Sequence, residues 1–564
     1  MIEGKERAES TEVNSRLVSF DGPSGMRLVG YIDEGPESGW NERFVILAPR
    51  YGETKKNNLQ LAYTLVANGF KVLRFDQSNH IGESDGTMDR FTLEGASDDI
   101  LSAVAYVDGF FEPAEIILVA MSLSCRCGFR ACAAESRISR FVSLVGMMDM
   151  DKTLQAIYNR DFFGELASGA DWRHVDILGF EIDGKNFHDS LVSSNMMCLA
   201  GTKEDASRVT IPVLHLYSEH DLWVDRRDVE DVIGLCKQGR LMLLPEVGHE
   251  INENTQAVRY ASEQIVSFCL EGLSDRPVEV YEPNRSALIA QNKKERLRLQ
   301  EVMKFTDAES DFWGDYLGKF GIIEDAHYYV EYFRSMADML GALQSEDLVL
   351  DAGCGNGFYG LNIVRTLCLG GPVGGRLPRP VHYCGIDLTK DGLTRSYSRH
   401  TEELLQLYRE QLSHVGQIGF SYRKIDFDSI RDGEVGLPFA DGSVSKICCS
   451  LVLSYLKEPV ELMKEFRRVL KPGGVAVVSS MKPGCDMTVL YHDYVVKDDP
   501  SEKRDRDANS LLSAAGKIKL KKDTGIYHFF SEEELKHVAY DAGFSDMRSC
   551  RSFGNQANVI RVVK

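Results

Sequence analysis

No run of about 18 apolar residues occurs anywhere in this 564-residue chain, so no membrane-spanning helix is expected. The first residues, Met1-Ile2-Glu3-Gly4-Lys5-Glu6-Arg7, are charged and lack the apolar stretch of a secretory signal. Positive charge is in deficit: 65 Lys and Arg against 85 Asp and Glu give a formal net charge of −20. That balance argues against a protein that tracks nucleic-acid phosphates, though it leaves room for a local basic pocket. Cysteine pairing is also missing. The 13 cysteines are odd in number and scattered, Cys125 and Cys127 form the only close, non-adjacent pair, and no second pair stands at zinc-like spacing. Neither a disulfide framework nor a metal site is expected, and the thiols read as reduced cytoplasmic side chains buried in cores. There is no tandem repeat.

What remains is an ordinary globular composition, 43% hydrophobic and 27% charged, in a chain longer than one hydrophobic core organises. An α/β fold class in two domains is expected. Over residues 15–272, apolar runs alternate with helical patterns at 57–69 and 93–109. The runs are Phe44-Val45-Ile46-Leu47, Lys71-Val72-Leu73-Arg74-Phe75, Ile116-Ile117-Leu118-Val119-Ala120, Phe141-Val142-Ser143-Leu144-Val145 and Val213-Leu214-His215-Leu216-Tyr217. Continuous apolar runs mark strands covered on both faces, hence a parallel sheet flanked by helices. Residues 150–208 break the rhythm with aromatics and few strand signals, and read as a cap inserted over the sheet. Residues 273–345 are charged and helical, a linker followed by a helical cap for the next domain. A second βα series fills 346–564, with flexible loops expected at 370–375 and 497–523.

The first chemical signal is Ala120-Met121-Ser122-Leu123-Ser124, set between a strand and a helix pattern. This is the setting of a nucleophile elbow, although Ala and Ser replace the two glycines of G-x-S-x-G, and a serine there can also simply cap a helix. Chain order strengthens the reading. Asp221 follows the strand at 213–217, His249 follows the strand at 241–244, and Ser, Asp, His is the order of α/β-hydrolases. His249 would accept the proton of Ser122, and Asp221 would fix the imidazole's tautomer and stabilise its charged form. The oxyanion donors would be the backbone N–H groups of Leu123 and Tyr51, since Pro49 has no N–H and Arg50 stands one step early. His220 sits in the wrong loop for the base and is assigned to packing or surface.

Four further words, Asn68-Gly69-Phe70, Arg74-Phe75-Asp76, His80-Ile81-Gly82 and Phe91-Thr92, together with the serine elbow give residues 40–300 a resemblance to the acyl-transferase of bacterial bioluminescence. The similarity runs on through Glu282-Pro283 to Glu295-Arg296-Leu297. It implies an α/β-hydrolase fold and a serine acyl-enzyme formed from a thioester on an acyl or peptidyl carrier protein. The acid loop His220-Asp221-Leu222-Trp223 and the cap depart from that family's pattern.

The second signal is Val349-Leu350-Asp351-Ala352-Gly353-Cys354-Gly355-Asn356-Gly357, a D-x-G-x-G-x-G turn between a strand and a helix. Dinucleotide folds use similar turns, but the details here favour S-adenosylmethionine. Gly353, Gly355 and Gly357 let the backbone approach a ligand, and Asp351 would orient its amino group. Asp387, with Leu388, ends the next strand, where an acid grips ribose hydroxyls. Asp426, with Phe427, ends the third, where a carboxylate can accept from an adenine amino group. Ser450, then Leu470-Lys471-Pro472-Gly473-Gly474, then a capping box at Ser531-Glu532-Glu533-Glu534 complete the series. In this order the motifs resemble a Rossmann-like class I methyltransferase over about 347–564. Tyr328, Tyr329, Tyr455, Tyr491 and His492 are aromatics that can face the acceptor.

The expected function is therefore bifunctional: a serine acyl hydrolase or acyltransferase fused to an S-adenosylmethionine-dependent methyltransferase, acting on one small acyl metabolite. Two alternatives stay open. One module is a scaffold, or S-adenosylmethionine is consumed by intramolecular alkylation with no methyl moved.

Overall fold

A computed structural model of the chain describes residues 12–168, 172–273, 280–303, 309–320, 326–368, 377, 379–410, 417–430, 435–487, 490 and 502–564. The chain forms two compact units, Met1–Lys304 with Ala515–Gly525, and Phe305–Ala514 with Ile526–Lys564.

In the first unit the strands are β1 (Asn14–Asp21), β2 (Arg27–Glu34), β3 (Arg43–Ala48), β4 (Lys71–Phe75), β5 (Glu115–Met121), β6 (Ile138–Leu144), β7 (Val175–Ile177), β8 (Phe180–Ile182), β9 (Pro212–Ser218) and β10 (Gln238–Leu244). Eight of them form one sheet in the order β1-β2-β4-β3-β5-β6-β9-β10. β1, β2 and β4 pair antiparallel, and β4 through β10 pair parallel. Every residue of β3 and β4 is buried, as two-sided helix cover requires. Helix Leu93–Phe111 supplies part of that cover. Thr92 caps it by accepting from Gly95 N–H, and Leu93, Ala96, Ile100, Ala103, Val104 and Val107 repeat at helical spacing to face the sheet. Truncating one of the large residues, Ile100→Ala for example, should cost about 2–5 kcal/mol.

Between β6 and β9 lies the inserted cap. It holds helices Met150–Tyr158, Phe162–Ala167, Gly184–Ser193 and Leu199–Arg208, together with the β7–β8 hairpin. Aromatic packing organises it, with Phe162 5.2 Å from both Tyr158 and Trp172, centroid to centroid.

The stretch 273–345 divides between the units. Helix Arg285–Val302 belongs to the first, where Glu295 and Asp33 both pair with the fully buried Arg74, at 2.7 and 2.5 Å. Removing one partner of such a buried cluster costs about 3–5 kcal/mol, so this helix is fixed to the sheet. Helices Glu309–Phe320 and His327–Leu340 belong to the second unit.

The second unit holds β11 (Leu348–Ala352), β12 (Val381–Asp387), β13 (Ile418–Lys424), β14 (Val444–Cys449), β15 (Leu470–Met481), β16 (Asp546–Ser552) and β17 (Ala557–Val563), in the order β13-β12-β11-β14-β15-β17-β16. All pairs are parallel except those of β17, which is antiparallel to β15 and β16. Strand order reverses between β11 and β14, and the loops beyond their C-terminal ends open a crevice there.

One expected loop is a helix. Within 497–523, residues Glu502–Asp523 are helical. Charge alone suggested a loop, but Glu, Lys, Arg, Ala and Leu are strong helix formers, and Leu512, Ala514 and Ile518 are buried. From Ala515 onward this helix belongs to the first unit. The stretch 370–375, Tyr491 and His492 lie outside the described residues.

Candidate active sites

Ser122 follows β5 and precedes helix Leu123–Ala134, with φ 52° and ψ −123°. A non-glycine residue there is strained, and such strain concentrates at functional sites. The turn is held by Ser122 N–H donating to Leu144 O on the neighbouring strand at 2.9 Å. Ser122 Oγ lies 2.8 Å from His249 Nε2, and His249 Nδ1 lies 2.9 Å from Asp221 Oδ2. With the Nδ1 proton directed at Asp221, Nε2 is the acceptor for the serine hydroxyl. All three side chains are buried or nearly so.

Asp221 is aimed by its own loop, because Oδ1 accepts from Trp223 N–H at 2.9 Å and Val224 N–H at 3.2 Å, leaving Oδ2 for the imidazole. The Trp223 ring stacks on His249 with centroids 4.2 Å apart and planes at 24°. His220 is exposed, its N–H bonded to Val247 O.

The departures from the glycine elbow have a use. Ser124 Oγ donates to Pro49 O at 2.5 Å and accepts from Gln77 Nε2 at 3.0 Å. Because Ala48 and Ala120 are register partners in β3 and β5, this bond draws the loop Pro49–Gly52 alongside Leu123. The same loop is held by Gly52 N–H donating to His80 Nε2 at 3.0 Å. Burial pushes the His80 imidazole down to about 4, so it stays a neutral acceptor. Among the described residues, the N–H groups of Tyr51 and Leu123 donate to no protein acceptor. The Tyr51 ring packs against His80, Phe91 and Phe180.

In the second unit a cavity of about 700 Å³ opens at the crevice beyond β11 and β14. Asp351, Gly353, Gly355, Asp387, Leu388, Asp426, Phe427 and Ser450 line it. Gly353 and Gly355 have φ of 79° and 49°. A Cβ on Gly353 would fall 2.1 Å from Val452 Cγ2, so only glycine fits. Asp387 Oδ2 accepts from Gly355 N–H at 2.8 Å, and Oδ1 accepts from Thr389 N–H and Oγ1, which fixes the carboxylate at the strand end. Asp426 caps the turn Phe427–Ser429 through Asp428 N–H. Ser450 Oγ lies 2.7 Å from Tyr332 OH.

Gly357, expected among the ligand-facing glycines, is not in the lining. A Cβ there would meet Ser396 Oγ at 2.3 Å and His400 Nε2 at 2.8 Å, and its carbonyl accepts from His400 at 2.6 Å. This glycine admits a packed helix, Lys390–Arg409. Asp351 is buried and accepts from Tyr383 OH at 2.7 Å; burial pushes its carboxyl up to about 7.

Of the candidate aromatics, Tyr329 and Tyr455 line the cavity and Tyr328 does not. Trp313 and Tyr316 from helix Glu309–Phe320, and Tyr527, join them. Trp313 lies 4.4 Å from Tyr455, and Tyr527 lies 5.0 Å from Tyr455, so one end of the cavity is aromatic. Sequence reading gave no role to Trp223, which stands in the acid loop, nor to Tyr383, Trp313 and Tyr527, which belong to no spaced motif.

These features define two α/β modules: an α/β-hydrolase fold with a cap and a serine relay, then a Rossmann-like class I methyltransferase fold with a glycine-lined crevice. Two family models match the chain, one over each module. Residues 37–303 match the acyl transferase family model, and residues 325–548 match a methyltransferase domain model. An acyl transferase of Photobacterium phosphoreum is 23% identical over 257 residues, 45% of this chain and 83% of its own. One from Shewanella hanedai is 25% identical, over 45% and 82%. Among solved structures, Est1E from Butyrivibrio proteoclasticus with ferulic acid bound is 19% identical, over 45% of this chain and 99% of its own, at a TM-score of 0.38. The chain thus joins two enzyme domains, one of acyl transferase type and one of methyltransferase type.

Proposed function

We propose that the chain is a bifunctional enzyme that transfers or hydrolyses an acyl group at Ser122 and methylates a small molecule with S-adenosylmethionine in the second unit. The observation that carries the first half is the relay of 2.8 and 2.9 Å from Ser122 through His249 to Asp221.

In this reading Ser122 Oγ attacks the carbonyl carbon of a thioester, presented on an acyl or peptidyl carrier protein, as its proton passes to His249 Nε2. The oxyanion rests on Leu123 and Tyr51 N–H. Collapse expels the thiolate, which takes the proton from His249 and leaves an acyl-serine. Water or an acceptor alcohol then gives its proton to His249 and attacks the ester carbon, and as the acyl–Oγ bond breaks His249 returns that proton to Ser122 Oγ, restoring both groups. Asp221 stays ionised throughout and keeps the imidazole oriented.

For the second unit, the glycine turn suits close approach of a methionine portion, and Asp387 and Asp426 supply acceptors for ribose hydroxyls and an amino group. S-adenosylmethionine, when bound, supplies an activated methyl on sulfonium. The chain's part is to hold that ligand and an acceptor in line, and the aromatic end around Trp313, Tyr455 and Tyr527 is where the acceptor enters. Fusion raises the effective concentration of an intermediate shared by both steps, which favours one acyl metabolite of a specialised pathway as common substrate. The twelve cysteines whose side chains are described are all free thiols, which supports a reducing cytoplasmic setting.

The test is fluorophosphonate labelling of Ser122, run beside ester and thioester panels, and methyl-labelled S-adenosylmethionine followed by product mass spectrometry. Labelled Ser122 and label in the product support the reading. No adduct, or label retained in methylthioadenosine, overturns the corresponding half.

A further inference from the structure

The acyl site receives one side chain from far along the chain. Lys519, on the part of helix Glu502–Asp523 that belongs to the first unit, places Nζ 3.2 Å from Glu250 Oε1 and 3.3 Å from Glu53 Oε1. Glu250 directly follows the base His249. Glu53 stands two residues after Tyr51, and its N–H donates to Arg50 O, which makes it part of the same loop. Arg50 Nη1 lies 3.1 Å from Glu250 Oε1.

Arg50, Glu53, Glu250 and Lys519 therefore form a charge-balanced cluster beside the relay. Burial alone would lower the Lys519 ammonium, but Glu250 and Glu53 outweigh it and hold the group charged. In return Lys519 and Arg50 keep Glu250 ionised against its own burial.

The segment that carries Lys519 is firmly seated. Asn57 Nδ2 donates to Asp523 Oδ2 at 3.0 Å, Gln300 Nε2 donates to Thr524 O at 2.8 Å, and Thr524 is fully buried. Gly516 passes so close to the cap hairpin that a Cβ on it would fall 1.9 Å from Leu178 O. The Lys519 side chain is half-buried, and the docked helix delivers it to two carboxylates on different loops.

We infer that Lys519 is a positioning residue of the acyl site: it clamps the loop that carries the Tyr51 N–H to the loop that carries His249. The inference rests on the reading of Ser122 as nucleophile. Without the ammonium, Arg50 is left as the cation that faces both Glu53 and Glu250, and the two loops that must meet across the reacting carbonyl are held less closely in register. The consequence falls on the chemical step more than on substrate capture, because Lys519 itself does not touch the relay.

The test uses the full chain, a p-nitrophenyl ester, fluorophosphonate labelling and, as a check that the second unit is intact, S-adenosylhomocysteine binding. Lys519→Met should lower kcat and the labelling rate about tenfold with KM within about twofold, the pattern of a mispositioned catalytic group. Lys519→Arg, which keeps the charge and the reach, should return most of the rate. Glu53→Gln, which removes one arm of the clamp with little change of volume, should lose rate in the same direction and combine non-additively with Lys519→Met. Wild-type labelling rates in Lys519→Met, or in Glu53→Gln should the lysine variant not fold, overturn the clamp. So does an arginine variant as impaired as the methionine one. A wild-type chain that does not label overturns the reading of Ser122 and the clamp with it, a result distinct from a labelled wild type with unaffected variants.

Discussion

The two candidate sites are built on opposite plans. In the first unit the candidate reactive groups are side chains, brought from the ends of three strands to within hydrogen-bond distance of one another. In the second, the glycine turn offers backbone and space, and the carboxylates that face the cavity are already tied down, Asp387 by Gly355 and Thr389, Asp426 by Asp428. The first plan concentrates function in a few atoms and predicts steep, local losses on substitution. The second distributes function over shape and predicts losses of affinity, with chemistry untouched once the ligand is held. Strained backbone is common to both: Ser122 holds a positive φ despite its Cβ, and in the second site Leu451 does so beside the positive-φ glycines Gly353 and Gly355.

The sharpest way to break this contrast is Asp221→Asn. The asparagine fits the same space but presents an amide where the imidazole N–H needs an acceptor, so acyl turnover should fall about 10⁴-fold, the size of effect expected when the tautomer is wrong. Methyl transfer by the same preparation should not change. Ester turnover and product methylation measured side by side decide it. A loss in both activities would mean that the sites are not separate in the way their construction implies.

Next in size is Gly353→Ala. The new Cβ would fall 2.1 Å from Val452 Cγ2, on backbone held at φ 79°, so the turn must shift away from the cavity. Affinity for S-adenosylhomocysteine should drop by about 100-fold, a free-energy loss of about 2.7 kcal/mol, with acyl turnover at the wild-type level. Isothermal titration reads this directly. Unaltered affinity would show that the glycine turn is not part of the ligand's cradle.

What was legible in the sequence follows from the same contrast. Ser122, Asp221 and His249 could be read because each sits just after a strand, and the strands are continuous apolar runs. Chain order then stands in for space. The second site was legible as a series of strand ends, Asp351, Asp387 and Asp426, for the same reason. The failures also have physical causes. Gly357 has a positive φ, as do Gly353 and Gly355, but its free space is taken by Ser396 and His400, and a turn motif does not say which way each glycine faces. Residues 502–523 read as a loop because charge was weighed above helix propensity. Lys519 left no local signal at all. It meets Glu250 across 269 residues, and contacts of that separation are decided by packing alone.

Trp223→Ala tests a smaller part of the first plan. The indole stacks 4.2 Å from the His249 ring and closes one face of the imidazole, while the Trp223 N–H that aims Asp221 belongs to the backbone and survives the change. The expected loss in kcat/KM is therefore about tenfold, well short of the Asp221→Asn effect, since orientation is relaxed but the relay remains. Fluorophosphonate labelling rates of the two variants give the comparison. Equal losses would mean that the ring, not the carboxylate, is what orients the base.

The smallest expected effect lies in the second unit and is read in stability rather than turnover. Burial pushes the Asp351 carboxyl from its ordinary 3.8 up to about 7; the Tyr383 hydroxyl works against this and Asp387 adds to it. Between about pH 4 and 7 the folded chain then holds a proton that the unfolded chain has released, so stability falls as pH rises through that window and levels off above it. Asp351→Asn cannot ionise, yet its carbonyl can still accept from Tyr383. The Tm of the variant should gain on that of the wild type as pH rises from 4 to 7, by about 2–4 °C for each kcal/mol of linked stability in a unit of this size, and the gap should stay constant beyond. The relevant transition is the one that S-adenosylhomocysteine raises, since a ligand of the second unit stabilises that unit. Parallel curves for the two proteins would mean that Asp351 ionises in the fold as it does in water, and that the carboxylate at the head of the glycine turn is solvated rather than held neutral.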